Sequence, residues 1–396
     1  MPKPLEGIKI LDLSRILAGP YATMLLRELG AEIIKVERPG SGDDARYYGP
    51  FKNEQSVYFI SINRGKKSIT INLKSPEGIK IIKEMVTEFD VLIENFRPGT
   101  MERLGIGYDV LKKINPRLIY AATSGFGHTG PKSHKPAYDM LVQAMGGMMS
   151  ITGWKDMPPT RVGMSIGDIG TALFTSIGIN AALYQREKTG LGQKVDIAML
   201  DCQIALLENA LVRYQVDGKP PIPHGNHHPT ITPFQAFKAK DEYFVLALGN
   251  DTLWKKFCDV MNRNDLLNDP KFISNDERTK NREIIIPIME KLFVDKTASE
   301  WIEFFTEKGI PSGPINSMDK VIDNKQLQSR NMFVEVNDEK AGKIKIAGNP
   351  IKMSTIPEEK TRQTSPKIGE HTNEILGKYL GFDEEKIKQL KEDGVI

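Results

Sequence analysis

Over residues 1–200 the chain alternates short apolar runs with helical patterns, and this rhythm narrows the fold more than any other feature. Ile8–Leu13, Glu32–Val36, Ser68–Leu73, Val91–Glu94, Leu118–Ala121 and Lys194–Ala198 read as strands. Tyr21–Leu29, stopping at Gly30, and Pro76–Glu88 read as helices; Pro76 falls in a first turn, where its missing N–H costs little. Strands and helices in this order predict a largely parallel sheet covered by helices. A further helix is expected from Leu200 to about Val216. The texture changes at Asp217–Asn226, a linker rich in Pro and Gly. Beyond it, Phe234–Phe237 and Tyr243–Leu248 read as paired strands. Helices are expected near Thr252–Met261, Arg282–Phe293 and Ala298–Lys308, then a strand pair around Gly342 and charged helices at the end.

Asp168 stands alone among small and apolar residues, in Gly163-Met-Ser-Ile-Gly-Asp168-Ile-Gly-Thr-Ala-Leu-Phe-Thr-Ser-Ile-Gly-Ile-Asn-Ala-Ala-Leu183. Too many apolar residues follow it for a solvated face, so a long and largely buried helix is expected. Two readings fit. Asp168 is an N-cap, its oxygens taking free N–H groups of the first turn. Or the helix dipole favours its ionised form and makes it a positioned nucleophile. Glycines at 163, 167 and 170 would let a large substrate approach the backbone.

The 396 residues carry 54 Lys plus Arg against 51 Asp plus Glu, a balance that argues against a nucleic-acid binder with a broad basic surface. Two cysteines, Cys202 and Cys258, cannot build a disulfide framework and fit a reducing compartment. The N-terminal residues lack an apolar signal region, and the helix after Asp168, interrupted by Asn180, reads as too broken to span a bilayer. The expectation is a cytoplasmic protein with no nucleic-acid or membrane partner. Gly125-Phe-Gly127-His-Thr-Gly130 matches a dinucleotide pattern, but Pro131 and Pro136 intervene where a helix should start. His224, His227 and His228 cluster in a loop without a Cys or carboxylate at metal-ligand spacing, so no metal site is expected.

Several blocks carry a family likeness: Leu5-Glu-Gly-Ile-Lys-Ile-Leu-Asp-Leu13 with Ala18-Gly-Pro20, Gly30-Ala-Glu-Ile-Ile-Lys-Val-Glu-Arg-Pro-Gly40, Asn63-Arg-Gly-Lys-Lys-Ser68, Glu94-Asn-Phe-Arg-Pro-Gly99 and Arg186-Glu-Lys-Thr-Gly190. In this order, over nearly the full length, the chain resembles the family III CoA-transferases, the group of formyl-CoA and carnitine CoA-transferases, with α-methylacyl-CoA racemase as an isomerase relative. The resemblance implies an α/β fold in two domains. A Rossmann-like parallel-sheet large domain holds both chain ends, in 1–216 and 317–396; a smaller α+β domain, 231–316, is inserted after the linker 217–230. It also implies a homodimer of interlocked chains.

The family's nucleophilic aspartate falls on Asp168. CoA contacts carried over by matching motif are Ile16, Leu17 and Ala18; Arg38; Ile71, Asn72, Leu73 and Lys74; Asn95, Phe96 and Arg97; Arg103; and Pro136, Ala137, Tyr138 and Asp139. Arg38, Lys74, Arg97 and Arg103 suit the coenzyme's phosphates. The implied substrates are an acyl-CoA and a free carboxylic acid, with no permanently bound cofactor and no metal. Leu17 stands where the formyl-CoA branch has glutamine, and Gly225-Asn-His-His-Pro-Thr-Ile-Thr-Pro-Phe234 replaces that branch's glycine-rich loop. Both departures count against oxalate or formate specificity, and the Asn-His-His-Pro loop followed by Pro-Phe-Gln-Ala-Phe resembles branches that handle larger acids, such as dicarboxylates, carnitine-like acids or aryl acids. The racemase branch carries histidine where this chain has Tyr138, and a phenol is a poor base at neutral pH, so transfer is favoured over epimerisation, and both over a CoA-binding protein without catalysis. Asp168 is expected to attack as an ordinary carboxylate, already ionised at pH 7.

Overall fold

A computed structural model describes all residues 1–396. The chain forms two compact units. The first comprises Met1–Met149, Arg161–Lys219 and Lys325–Ile396; the second comprises Ser150–Thr160 and Pro220–Asn324. Residues 150–160 thus belong with the second unit, which also runs on to Asn324, past the boundary expected at 316.

In the first unit, β1 (Lys9–Asp12), β2 (Glu32–Glu37), β3 (Lys67–Thr70), β4 (Val91–Glu94), β5 (Ile119–Ser124) and β6 (Lys194–Ala198) form one sheet. The order is β3-β2-β1-β4-β5-β6, with every neighbouring pair parallel. β4 and β5 are buried at every position and read as near-continuous apolar runs because both faces are covered. Ile10, Ile33, Val91, Ile93 and Ile119 point to a core shared with α1 (Ala18–Glu28). Leu11, Ile34, Leu92 and Tyr120 point the other way, to α2 (Pro76–Met85) and to Ile375, Leu376, Ile387 and Leu390 of the C-terminal helices. α1 begins at Ala18, three residues before its expected start. Pro20 lies in its first turn and is tolerated there.

Helix α3 (Asp139–Met145) precedes the long α4 (Ile166–Thr189), which ends where Gly190 turns left-handed at φ 74°. The expectation that no segment could span a bilayer is corrected here. α4 has 24 residues and is apolar enough by composition, but half of its apolar window is buried within the protein. Small residues let it pack closely: a Cβ on Gly178 would lie 2.8 Å from Val195 of β6. The single helix expected over 200–216 is two, α5 (Met199–Leu206) and α6 (Asn209–Asp217), broken at Glu208 with φ 45°.

The first unit also holds a small sheet of β10 (Phe333–Asp338), β11 (Gly342–Ala347) and β12 (Thr361–Arg362). In the second unit β7 (Phe234–Lys238), β8 (Tyr243–Ala247) and β9 (Ser312–Pro314) form an antiparallel sheet against an aromatic core that includes Trp254, Phe257, Phe293 and Phe305.

Charges are buried under the carboxyl ends of the central strands. Lys66 Nζ lies 3.2 Å from Asp12 Oδ2, and both side chains are sealed from solvent. Burial works against the Asp12 charge, but Lys66 and Lys35, with the hydroxyls of Ser14 and Thr23, hold its carboxyl below the usual range. Removing one member of such a pair strands the other. Lys66→Met should therefore cost about 3–5 kcal/mol, read as a lower midpoint in urea unfolding.

Candidate active site

Strand order reverses between β1 and β4, and the loops after these two strands line a cavity, as open α/β sheets arrange at such a switch point. About 330 Å³ in volume, the cavity is walled by Arg15–Ala18 after β1, Asn95–Pro98 after β4, Thr123–Gly125 at the end of β5, Lys135–Tyr138, Asp44, Met199 and Asp168. A second cavity of about 560 Å³ is walled by Arg38, Ile71–Lys74, Ser41–Asp43, Thr100 and Leu104 among others. Arg15 and Phe96 border both, so the two adjoin.

The first loop is held from below. Lys35, fully buried, pairs with Asp43 at 2.7 Å and donates to Ser14 O at 2.9 Å. Burial opposes the Asp43 charge, but Lys35 holds its carboxyl below the usual range. Asp43 in turn accepts the Ile16 N–H at 3.1 Å. The Asn95 side chain brackets Arg15, accepting its N–H and donating to its carbonyl, each at 2.8 Å. These bonds enforce a left-handed Ile16, φ 68°, which in a β-branched residue stores about 1–3 kcal/mol. Across the cavity Glu94, buried, accepts the Phe96 N–H at 2.7 Å and shapes the second loop.

Asp168 is the third residue of α4 and does not cap it. Asp139 does that work. Its Oδ1 accepts the Gly167 N–H at 2.8 Å, while its Oδ2 takes Gln143 Nε2 at 2.8 Å and lies 3.7 Å from Arg161. The glycines at 167 and 170 are not left open for a ligand. A Cβ there would strike Val142 or Leu206, so these positions let α3 and α5 pack against α4. Asp168 itself is half-buried on the cavity wall, with no cation paired to it.

Its electrostatics reverse the expectation of an ordinary ionised carboxylate. Burial first, and then the charge of Asp139, push the Asp168 carboxyl up to about 7. The helix N-terminus favours the anion, yet desolvation and a like charge outweigh it. The Asp168 charge, after burial, also raises the phenol of Tyr58 from helix Val57–Asn63.

The structure brings Ile16, Leu17, Ala18, Asn95, Phe96, Arg97, Pro136, Ala137 and Tyr138 together with Asp168, and Arg38, Ile71, Asn72, Leu73 and Lys74 into the adjoining cavity. Arg103 and Asp139 line neither. Arg103 is exposed beside Thr100, and the Asp139 carboxylate is spent on the helix start. Arg15 and Asp44 escaped the sequence reading. Arg15 stands in the same Ser-Arg-Ile-Leu-Ala-Gly-Pro loop, and its ion pair with Asp44 depends on tertiary folding. Gly125–Gly130 leads into no helix: Gly125 packs on Ala137 and the next helix starts at Asp139. In the second unit, His228 Nδ1 accepts the Thr230 N–H, and its carbonyl takes Arg282 Nη2 at 2.7 Å.

Residues 5–372 match the model of CoA-transferase family III. The chain is 45% identical over 368 residues to an acetyl-CoA:oxalate CoA-transferase of Acetobacter aceti, covering 93% of each protein. It is 42% identical over 395 residues to a succinyl-CoA:glutarate CoA-transferase of Mus musculus, covering 100% of this chain and 90% of that one. A crystal structure of a CAIB/BAIF family protein from Brucella suis superimposes with a TM-score of 0.83 at 37% identity, over 96% of this chain and 100% of that one.

Asp168 should lose its proton as pH rises through about 7. An infrared difference titration, wild type minus Asp168→Asn, should show the carboxyl band converting to carboxylate with that midpoint. Asp139→Asn should move the midpoint down, because one of the two causes is gone; a wild-type midpoint in the ordinary range near 4 would contradict the burial argument.

Proposed function

The chain belongs to the family III CoA-transferases, and on that premise we propose that it moves CoA from an acyl-CoA to a free carboxylic acid through a thioester formed on Asp168. The observation that carries this reading is the unpaired Asp168 carboxyl on the wall of a cavity at the sheet's switch point. The coenzyme's adenosine end takes the wider cavity, beside Arg38 and Lys74. Its pantetheine arm passes Phe96, which borders both cavities, to reach Asp168.

Ionised Asp168 attacks the acyl-CoA carbonyl and expels the CoA thiolate, forming a mixed anhydride. The thiolate then attacks the aspartyl carbonyl, releasing the donor acid and leaving an aspartyl-CoA thioester. The acceptor carboxylate attacks that thioester, regenerating thiolate and anhydride. Thiolate attack on the new acyl carbonyl frees Asp168 and the product acyl-CoA. Backbone N–H groups of the cavity loops are the donors available to each oxyanion.

The raised carboxyl bears directly on the first step. With an ordinary aspartate near 3.9 and a thiol near 8.5, the nucleophile leaves far more readily than the thiolate, a handicap of about 6 kcal/mol in proton affinity. With Asp168 near 7 the same handicap falls to about 2 kcal/mol. Burial thus brings nucleophile and leaving group toward balance, though only the ionised fraction attacks.

Both relatives carry a dicarboxylic acid in their names, oxalate beside acetyl-CoA and glutarate beside succinyl-CoA, and we take a dicarboxylate as the acceptor acid. The first relative returns oxalate to the candidates despite Leu17. Epimerisation lacks its imidazole: Tyr138 lines the cavity and no histidine does. The proposal includes a homodimer. Leu173, Ile177 and Tyr184 stand exposed at 45%, 63% and 66% along α4, an apolar stripe that a second copy would cover.

Asp168→Ala should reduce exchange between acyl-CoA and free acid by at least about a thousandfold while CoA still binds. Wild type incubated with acyl-CoA alone should carry a hydroxylamine-sensitive CoA adduct on Asp168 by mass spectrometry. Persistent exchange in the variant would remove Asp168 from the reaction. For the dimer, light scattering should give twice the chain mass, and Ile177→Glu should shift the population toward monomer.

A further inference from the structure

Three cations line the cavity that holds Asp168: Arg15, Arg97 and Lys135. Arg97 and Lys135 are exposed, whereas Arg15 is half-buried. Its main chain is fixed on both sides, by the Asn95 bracket and by Asp43 through Ile16. Its guanidinium pairs with Asp44, which Arg38 also approaches at 2.5 Å. Two guanidiniums therefore share one carboxylate, so Asp44 is not given to Arg15 alone. Asp43, beneath it, is neutralised by Lys35, and Glu37 by Arg46 at 2.7 Å. Arg15 lies on the cavity wall, and its one carboxylate partner is shared with a second guanidinium. A fixed, half-buried cation so placed is a receptor for an anion, and guanidinium is the group that reads a carboxylate by its two-pronged shape.

The reacting carboxyl of the acid belongs at Asp168. A second carboxylate on the same small molecule would lie within the same cavity. We propose that Arg15 binds this remote carboxylate and so selects dicarboxylic acids over monocarboxylic ones; the inference rests on Asp168 as the CoA-accepting group. A monocarboxylate of equal length leaves Arg15 as it is and places methyl against a cation. The coenzyme's phosphates have their own cations in the adjoining cavity, Arg38 and Lys74. Arg15 borders both spaces, and so the experiment has to separate acid from coenzyme.

The test measures kcat/KM for succinate, glutarate and adipate against butyrate, valerate and hexanoate, in wild type, Arg15→Gln and Arg15→Lys, with free-CoA affinity by calorimetry. Wild type should prefer the best dicarboxylate over its monocarboxylate partner by about 10- to 100-fold, the value of a charged hydrogen-bonded pair. Arg15→Gln should bring that preference to within about threefold, mainly through a higher KM for the dicarboxylate, and should leave CoA affinity within about threefold. Arg15→Lys should restore part of the preference, a rescue that a purely scaffolding role would not give. Retention of the preference in Arg15→Gln overturns the inference, as does an equal loss for both acid series or a matching loss of CoA affinity. A wild type that does not distinguish the two series overturns it too, with the transferase reading intact provided Asp168→Ala is inactive. Exchange surviving in Asp168→Ala sinks the underlying reading instead.

Discussion

Two lysines without solvent, Lys35 and Lys66, hold the centre of this molecule together. Lys66 joins the end of β1 to the segment before β3 through Asp12. Lys35 joins β2 to Ser14 and Asp43 and, through them, to the loop that carries Arg15, Ile16 and Leu17. A hydrophobic substitute for such a pair is often as stable. What aliphatic side chains could not do is aim hydrogen bonds at two points of a loop and keep an isoleucine left-handed. The cavity's shape at the β1–β4 reversal follows from that constraint.

The site works by contrast between neighbouring charges. Asp12 and Asp43, beside lysines, stay below the ordinary carboxylate range, while Asp168, beside Asp139 and paired with no cation, rises to about 7. All are aspartates at the rim or floor of one sheet. Their environments decide which is mortar and which is reactive. Asp139 serves twice, fixing the start of α4 through Gly167 and raising the proton affinity of the residue that follows.

How much of this was legible in the sequence differs by residue. The six parallel strands were, several of them because burial on both faces leaves short apolar runs such as Val91–Ile93 and Ile119–Ala122. The linker and the aromatic second unit were marked by composition. The break between α5 and α6 was not, since Leu207-Glu208 carries no Gly or Pro and only packing puts Glu208 at a positive φ. Nor was the capping partner of α4: Asp139 lies 28 residues before Gly167, beyond any local pattern. Asp168 could be singled out by its isolation among small residues. Its ionisation could not, because desolvation and Asp139 are products of the folded chain. Arg15 is one residue from a recognised contact, but its worth as a cation is set by Asp44 and Arg38, 29 and 23 positions away.

The first unit is assembled from pieces that the second unit separates in sequence. Thr70 N–H reaches Thr372, Asn72 N–H reaches Val395 O, and Arg46 reaches Pro366 O, across roughly 300 residues in each case. On an emerging nascent chain, β3 and the floor of the wider cavity must therefore wait for segments synthesised long afterward, whereas 220–324 finds its partners close at hand. Non-local closure of this kind is slow. The six strands and the Asp168 cavity all lie before residue 200, so it is the floor of the wider cavity, closed by residues near 366–395, that stays exposed while the inserted unit folds.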